Sequence, residues 1–166
     1  AVSPLAVPGH DNSAMDGWAV RFADLDPAGE TTLRRIGESF AGAPWTGTLE
    51  PKSAVRIFTG GVMPGGADTV VMQERATEAD GSVRIAARAV TKPGQNRRFA
   101  GEDVKVGALV FARGQPVRPA ELGMLASLGI NEVTVFRKLR VAFFSTGDEL
   151  RSIGTQLAHG QIYDSN

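Results

Sequence analysis

Short apolar segments separated by Gly and Pro fill the first two thirds of the chain, and that punctuation predicts an all-β unit. Candidate strands run from Trp18 to Phe22, Thr31 to Glu38, Ala54 to Phe58, Thr69 to Gln73, Val83 to Ala87 and Leu109 to Phe111. Asp80-Gly81 lies between two of them and suits a hairpin turn, because Gly accepts positive φ. Six short strands at this spacing suggest a small barrel or sandwich.

After Leu109 to Phe111 the pattern changes. Pro119 to Leu128 reads as a helix, with Pro at its first position and Gly129 just past its end. Leu122, Leu125 and Ala126 form its apolar face, flanked by Met124 and Leu128. A short strand is expected at Val133 to Phe136. Leu139 to Phe144 is then a continuous apolar run ending in the polar turn Ser145-Thr146-Gly147-Asp148-Glu149, the pattern of a buried parallel strand. Ligands of open α/β sheets bind beyond the carboxyl ends of such strands, which would put Thr146 to Glu149 at a site lip.

Composition narrows the function classes. The 166 residues are 42% apolar and 22% charged, with a mean hydropathy of −0.09, values of a soluble globular protein. No apolar run approaches the ~20 residues that span a bilayer. Eighteen basic residues balance eighteen acidic ones, without the basic excess of a nucleic-acid binder. The absence of Cys excludes disulfides, zinc-thiolate sites and thiol nucleophiles. Cytoplasm is the default location. The chain starts at Ala1-Val2-Ser3-Pro4 and stops at Tyr163-Asp164-Ser165-Asn166 without a helix after its last strand, so it reads as an internal fragment.

Four polar, Gly-containing clusters could carry chemistry. In Asp11 to Gly17, Asp16 could hold a ligand or metal, or Asp-Gly could be an ordinary turn. In Phe58 to Asp68, consecutive glycines would let backbone N–H groups converge on an anion, although no P-loop Lys-Ser/Thr is present; a flexible hairpin loop is the alternative. Asn96 to Asp103 joins arginines to a carboxylate pair, suited to an oxyanion with a hard divalent cation, or to a solvated ion pair. Ser145 to Glu149 could be functional or a simple helix N-cap. His10 and His159 lack a partner at metal-ligand spacing, and Trp18 and Trp45 read as packing anchors. These residues point to an anion- or metal-handling surface and name no substrate.

At these clusters the chain resembles the molybdopterin molybdenumtransferase family, which includes the C-terminal domain of gephyrin. The matching phrases are Val7-Pro8-Gly9 leading to Asp11 through Val20, Arg56 to Gly60, Ala67 to Glu74, Gly101-Glu102-Asp103, Ser145 to Leu150, and Gly160 to Asn166. They occur in the family's order and span essentially the whole chain.

The resemblance implies a multi-domain α+β fold. A barrel-like β-rich domain, residues 13–104, would be inserted in a small connecting domain formed by 1–12 and 105–138. Residues 139–166 would be the truncated start of an α/β molybdopterin-binding domain. Family members are elongated homodimers, with molybdopterin adenylyltransferase as the expected pathway partner. The implied reaction inserts molybdenum from molybdate into adenylylated molybdopterin with Mg²⁺, giving molybdenum cofactor and AMP. By position, Asp16, Thr59, Asp103 and Glu149 resemble the family's functional set. Asp103 and Glu149 would position metal or water, while Thr59 and Asp16 would orient substrate. Arg98 would contact an anion, and Ser145, Thr146, Gly147, Asp164 and Asn166 would line the pterin side. Phe99-Ala100 departs from the family where relatives often carry basic residues, and Trp18 stands where Tyr is common. The fragment itself is expected to be inactive. Two other functions fit the residues: a non-catalytic binding or scaffold module, and a metal-dependent phosphohydrolase.

Overall fold

The computed structural model describes residues 1–165, which fall into two compact units, 1–133 and 134 onward. The first unit is mostly β. Its main sheet uses β2 (Gly17–Val20), β3 (Thr31–Ser39), β4 (Ser53–Ile57), β5 (Thr69–Met72), β6 (Ala76–Ala79) and β7 (Ser82–Ile85). Their order is β5-β2-β4-β3-β7-β6, antiparallel throughout except for the parallel pair β3 and β4.

The connection between the two edge strands fixes the shape of this sheet. Flat, it would hold β5 and β6 about 24 Å apart, five strand spacings. A single 3₁₀ turn, Gln73–Arg75, joins them, and four residue steps span at most about 14 Å. The sheet must therefore curl into a half-barrel. One core cluster follows the curl through Trp18, Val20, Leu33, Ala54, Val71, Val83 and Ile85, which alternate in their strands with side chains of the opposite face. That opposite face carries a second cluster of Ala19, Val55, Ile57 and Val70 with Leu49 and Ala67. Both faces are apolar because loops cover the outer one. Trp45 lies there against Gly37 and Gly47, where a Cβ would come within 2.4 and 2.3 Å of the indole.

The Asp80-Gly81 turn joins β6 to β7, with φ of +50 and +74. The expected strand from Trp18 to Phe22 stops at Val20, and 22–24 is a 3₁₀ turn. Leu109 to Phe111 is not a strand. It makes one bridge, Val2 to Leu109, and two N–H bonds to the Ala1 carbonyl, because it meets only the short N-terminal segment. Backbone pairing of residues 1–8 with 101–111 continues through Ser3 with Ala108 and Val7 with Val104. Helix α1 (Pro119–Ser127) begins on Pro119, with the Glu121 carboxylate accepting the Arg118 N–H, and Gly129 follows at φ +67. Leu125 and Leu128 are buried, whereas Leu122 and Met124 are exposed, so the expected apolar face is only half covered.

From 134 onward, the one ladder among the described residues is parallel, β9 (Leu150–Arg151) with β10 (Ile162–Tyr163). The strand expected at Leu139 to Phe144 is absent, and so is the one at Val133 to Phe136. Leu139 is 90% exposed and Phe144 86%. A buried parallel strand needs a hydrogen-bonded neighbour on each side and a covering layer, and no described segment supplies them.

Candidate functional site

Short ladders bring three of the four polar clusters together. β1 (Asn12–Ser13) pairs antiparallel with β8 (Arg97–Arg98), and Asn12 also bridges Val62. The Asp11 to Asp16 segment thus runs between the Thr59 loop and the 96–103 segment. Backbone bonds lock the junction: Ser13 N–H to Gly61, Gly60 N–H to Ser13, Met63 N–H to Asp11, Ala14 N–H to Asn96 and Gln73 N–H to Asp16.

Asp16 and Thr59 meet there. Asp16 Oδ1 accepts the Thr59 backbone N–H at 2.8 Å and its hydroxyl at 2.7 Å. These two bonds hold the Asp16 carboxyl below the usual carboxylate range, and the Arg56 charge adds to the effect. Arg56 lies 5.4 Å from the Trp18 ring centre and 4.9 Å from that of Phe58, and it donates to Gln73 Oε1 and Gly17 O. Phe58 stacks on Phe40 with centroids 4.7 Å apart.

Arg98 and Asp103 also meet. Arg98 donates from Nε to Glu102 and from Nη2 to Asp103, both at 2.6 Å. The two carboxylates, Asp103 first, raise the Arg98 pKa. The Phe99 N–H and then Arg98 lower that of Glu102. Beside them Arg97 donates to Asp11 from Nε and Nη2 and covers the Phe99 ring at 4.8 Å, while Ala100 N–H donates to Asp11 Oδ1 at 2.7 Å. The Arg97 bonds, then Ala100, keep the Asp11 carboxyl low. Three carboxylates here share two guanidiniums, leaving one surplus negative charge.

The anion-cradle reading of the Gly-rich loop does not hold for its first half. The N–H groups of Thr59, Gly60, Gly61 and Met63 all donate to acceptors inside the protein. Asp68 is structural as well, accepting from the Phe22 N–H and the Thr69 hydroxyl.

The fourth cluster lies in the second unit. Its backbone turns at Gly147, φ +150, with the Leu150 N–H donating to Gly147 O, and no helix begins there for a Ser or Thr to cap. The Glu149 carboxylate folds over Gly147, where a Cβ would sit 2.6 Å from it. Ser145 is half-buried, and Thr146 and Glu149 are exposed. Asp164 donates its N–H to Arg151 O. Asn166 lies outside the described residues. Among the described residues no group of three or more His, Cys, Asp or Glu could hold a metal by itself.

Sequence reasoning missed Asp11, Arg97 and Arg56. Asp11 binds residues 86 and 89 positions away, a separation with no local signature.

A curled β sheet with a polar junction built from its N-terminal segment, its Gly-rich loop and an Arg-acid hairpin defines this class of β module. Residues 1–129 match the MoeA N-terminal region (domain I and II), and the chain belongs to the MoeA family. It is 49% identical over 166 residues to the molybdopterin molybdenumtransferase of Haemophilus influenzae, covering 99% of this chain and 40% of that protein. It is 44% identical to molybdopterin molybdenumtransferase 2 of Mycobacterium tuberculosis, over 99% of this chain and 41% of that one. A solved molybdopterin biosynthesis MoeA protein from Pyrococcus horikosii superposes with a TM-score of 0.85 at 36% identity, over 99% of this chain and 42% of its own. The chain thus spans about two fifths of the length of these relatives.

Proposed function

We propose that this chain is part of an enzyme that inserts molybdenum from molybdate into adenylylated molybdopterin, yielding molybdenum cofactor and AMP. The observation that carries this reading is the convergence of Asp16 with Thr59 and of Arg98 with Asp103 at one junction of the family's N-terminal region. The names of the relatives support a molybdopterin molybdenumtransferase. In this reading 13–104 is a β-rich insertion in a connecting domain of 1–12 and 105–138, and 139–166 opens an α/β domain. The backbone pairing of residues 1–8 with 101–111 supports the insertion. A homodimer, molybdopterin adenylyltransferase as supplier of substrate and a cytoplasmic location complete the proposal. No helix among the described residues is long and apolar enough to cross a membrane.

Mg²⁺ takes one or two protein carboxylates and draws its remaining oxygens from water and phosphate. Asp103 fits such a part-share: one oxygen accepts from Arg98, and half of its side chain is exposed. Glu149 is exposed in the second unit and offers the same chemistry there. When bound, the ion would neutralise phosphate charge. Arg98, held by two carboxylates through Nε and Nη2, keeps Asp103 oriented and would reach an anion through its remaining N–H donors. Ser145, Thr146, Gly147, Asp164 and Asn166 are assigned to the pterin side.

The committed donors of the Thr59 loop also suit a non-catalytic binding module, and one assay separates the readings. In the full-length protein, Asp103→Ala and Glu149→Ala should each remove a few kcal/mol of transition-state stabilisation, roughly 100-fold or more in molybdate-dependent AMP release. Thr59→Ala should cost less, about tenfold, since a hydroxyl contributes a hydrogen bond without charge. Wild-type turnover in both carboxylate variants would refute the assignment.

A further inference from the structure

We infer that the Asp16–Thr59 pair is an acceptor-only subsite, which takes an N–H or O–H donor of the bound substrate or of metal-bound water and does not take an oxyanion. A carboxylate only accepts hydrogen bonds, so the direction of the 2.7 Å contact is fixed: the Thr59 hydroxyl proton points at Asp16. The Thr59 backbone N–H points at the same oxygen. Outward, the pair therefore presents only lone pairs, those of Thr59 Oγ1 and of Asp16 Oδ2, which accepts no hydrogen bond among the described residues. Thr59 is exposed and Asp16 half-exposed, so these lone pairs are open to a ligand.

Three of the neighbouring loop amides are already committed. Gly60, Gly61 and Met63 give their N–H groups to Ser13, Phe58 and Asp11. Arg56 lies against two aromatic rings, with Nη2 on Gln73 and Nη1 directed at the Gly17 carbonyl. Molybdate or phosphate presents only acceptors to this surface, and bringing it here would set acceptor against acceptor beside an ionised carboxylate. A pterin amide or amino group, a ribose hydroxyl, or water on a divalent cation carries the donor that the pair lacks.

This inference rests on the molybdenum-insertion reading for its ligands. Its test is calorimetric titration of full-length wild type, Thr59→Val, Thr59→Ser and Asp16→Asn with adenylylated molybdopterin, with Mg²⁺ alone and with molybdate. Thr59→Val keeps the branched shape and deletes the hydroxyl. It should weaken one of the first two ligands about tenfold, and Asp16→Asn should weaken the same one, while molybdate affinity stays within about twofold. Weakening confined to adenylylated molybdopterin assigns the donor to the organic substrate, and weakening confined to Mg²⁺ assigns it to metal-bound water. Thr59→Ser should restore wild-type affinity, and equal melting temperatures exclude a folding defect. A tenfold loss of molybdate affinity, or no change for any ligand, would overturn the inference. Wild-type protein that binds adenylylated molybdopterin yet releases no AMP would sink the molybdenum-insertion reading and leave the binding comparison intact.

Discussion

Asp11 holds the polar junction together, and its replacement by Ala gives the most direct physical test. The change removes three hydrogen bonds at once: two from Arg97 and one from the Ala100 N–H. The Arg97 and Asp11 side chains are 24% and 30% exposed, between a surface pair and a buried one. Surface pairs contribute about 0–1 kcal/mol, and breaking a buried pair costs about 3–5 kcal/mol, so about 2 kcal/mol is expected here. The exposed Ala100 N–H regains water when Asp11 is lost and adds about 0.5 kcal/mol. Urea unfolding followed by tryptophan fluorescence reads this unit, because both tryptophans lie within residues 1–133. The midpoint should fall by the equivalent of about 2.5 kcal/mol with an unchanged m-value. A double-mutant cycle with Arg97→Ala should give a coupling of at least about 1 kcal/mol. A total effect below about 0.5 kcal/mol would show that the junction is held by its backbone ladder alone, and the reasoning would fail.

Acid should weaken the same junction. Asp11, Asp16 and Glu102 all have depressed pKa values in the fold, so their stabilisation is complete above the unfolded carboxylate range and is lost as pH falls through the lower folded values. Urea midpoints should stay level from about pH 5 to 8 and drop below about pH 4, with a shallower drop in Asp11→Ala; an equally steep drop in that variant would contradict the assignment. Gly17→Ala should cost about 3 kcal/mol, since its Cβ would lie 2.0 Å from the Val71 carbonyl oxygen and backbone cannot yield cheaply. Gly129→Ala meets nothing within 4 Å and carries only the strain of φ +67, about 1 kcal/mol. Melting temperatures that ranked the two glycines in reverse would overturn both arguments.

The parts of the fold legible in sequence were those whose cause is local. The Asp80-Gly81 turn and the Pro119 helix start depend on a few adjacent residues, and both appear where their chemistry places them. β6 was missed because Ala76–Ala79 is an edge strand with little apolar content, held by its hairpin partner β7. Leu139 to Phe144 failed for the opposite reason. Its composition is that of a buried strand, but burial belongs to neighbours, and an apolar segment cannot supply its own.

For the site, residue type was legible and commitment was not. Two guanidiniums, four carboxylates and a Gly-rich loop look like an anion-binding set when read along the chain. In three dimensions Arg97 and Arg98 are held by Asp11, Glu102 and Asp103, and the loop amides of Thr59, Gly60 and Met63 close on the segment that begins at Asp11. At Asp16–Thr59 the hydrogen bonds that build the junction use both Thr59 donors, so the pair is left with acceptors on its surface. A sequence reading could not have found this, because it follows from which groups are paired across 43 positions at Asp16–Thr59 and 86 at Asp11–Arg97. On the proposed function, molybdate would take its donors from residues other than the Asp16–Thr59 pair, and Thr146 and Gly147, at an exposed turn of the second unit, are where variants that weaken molybdate binding should be sought first.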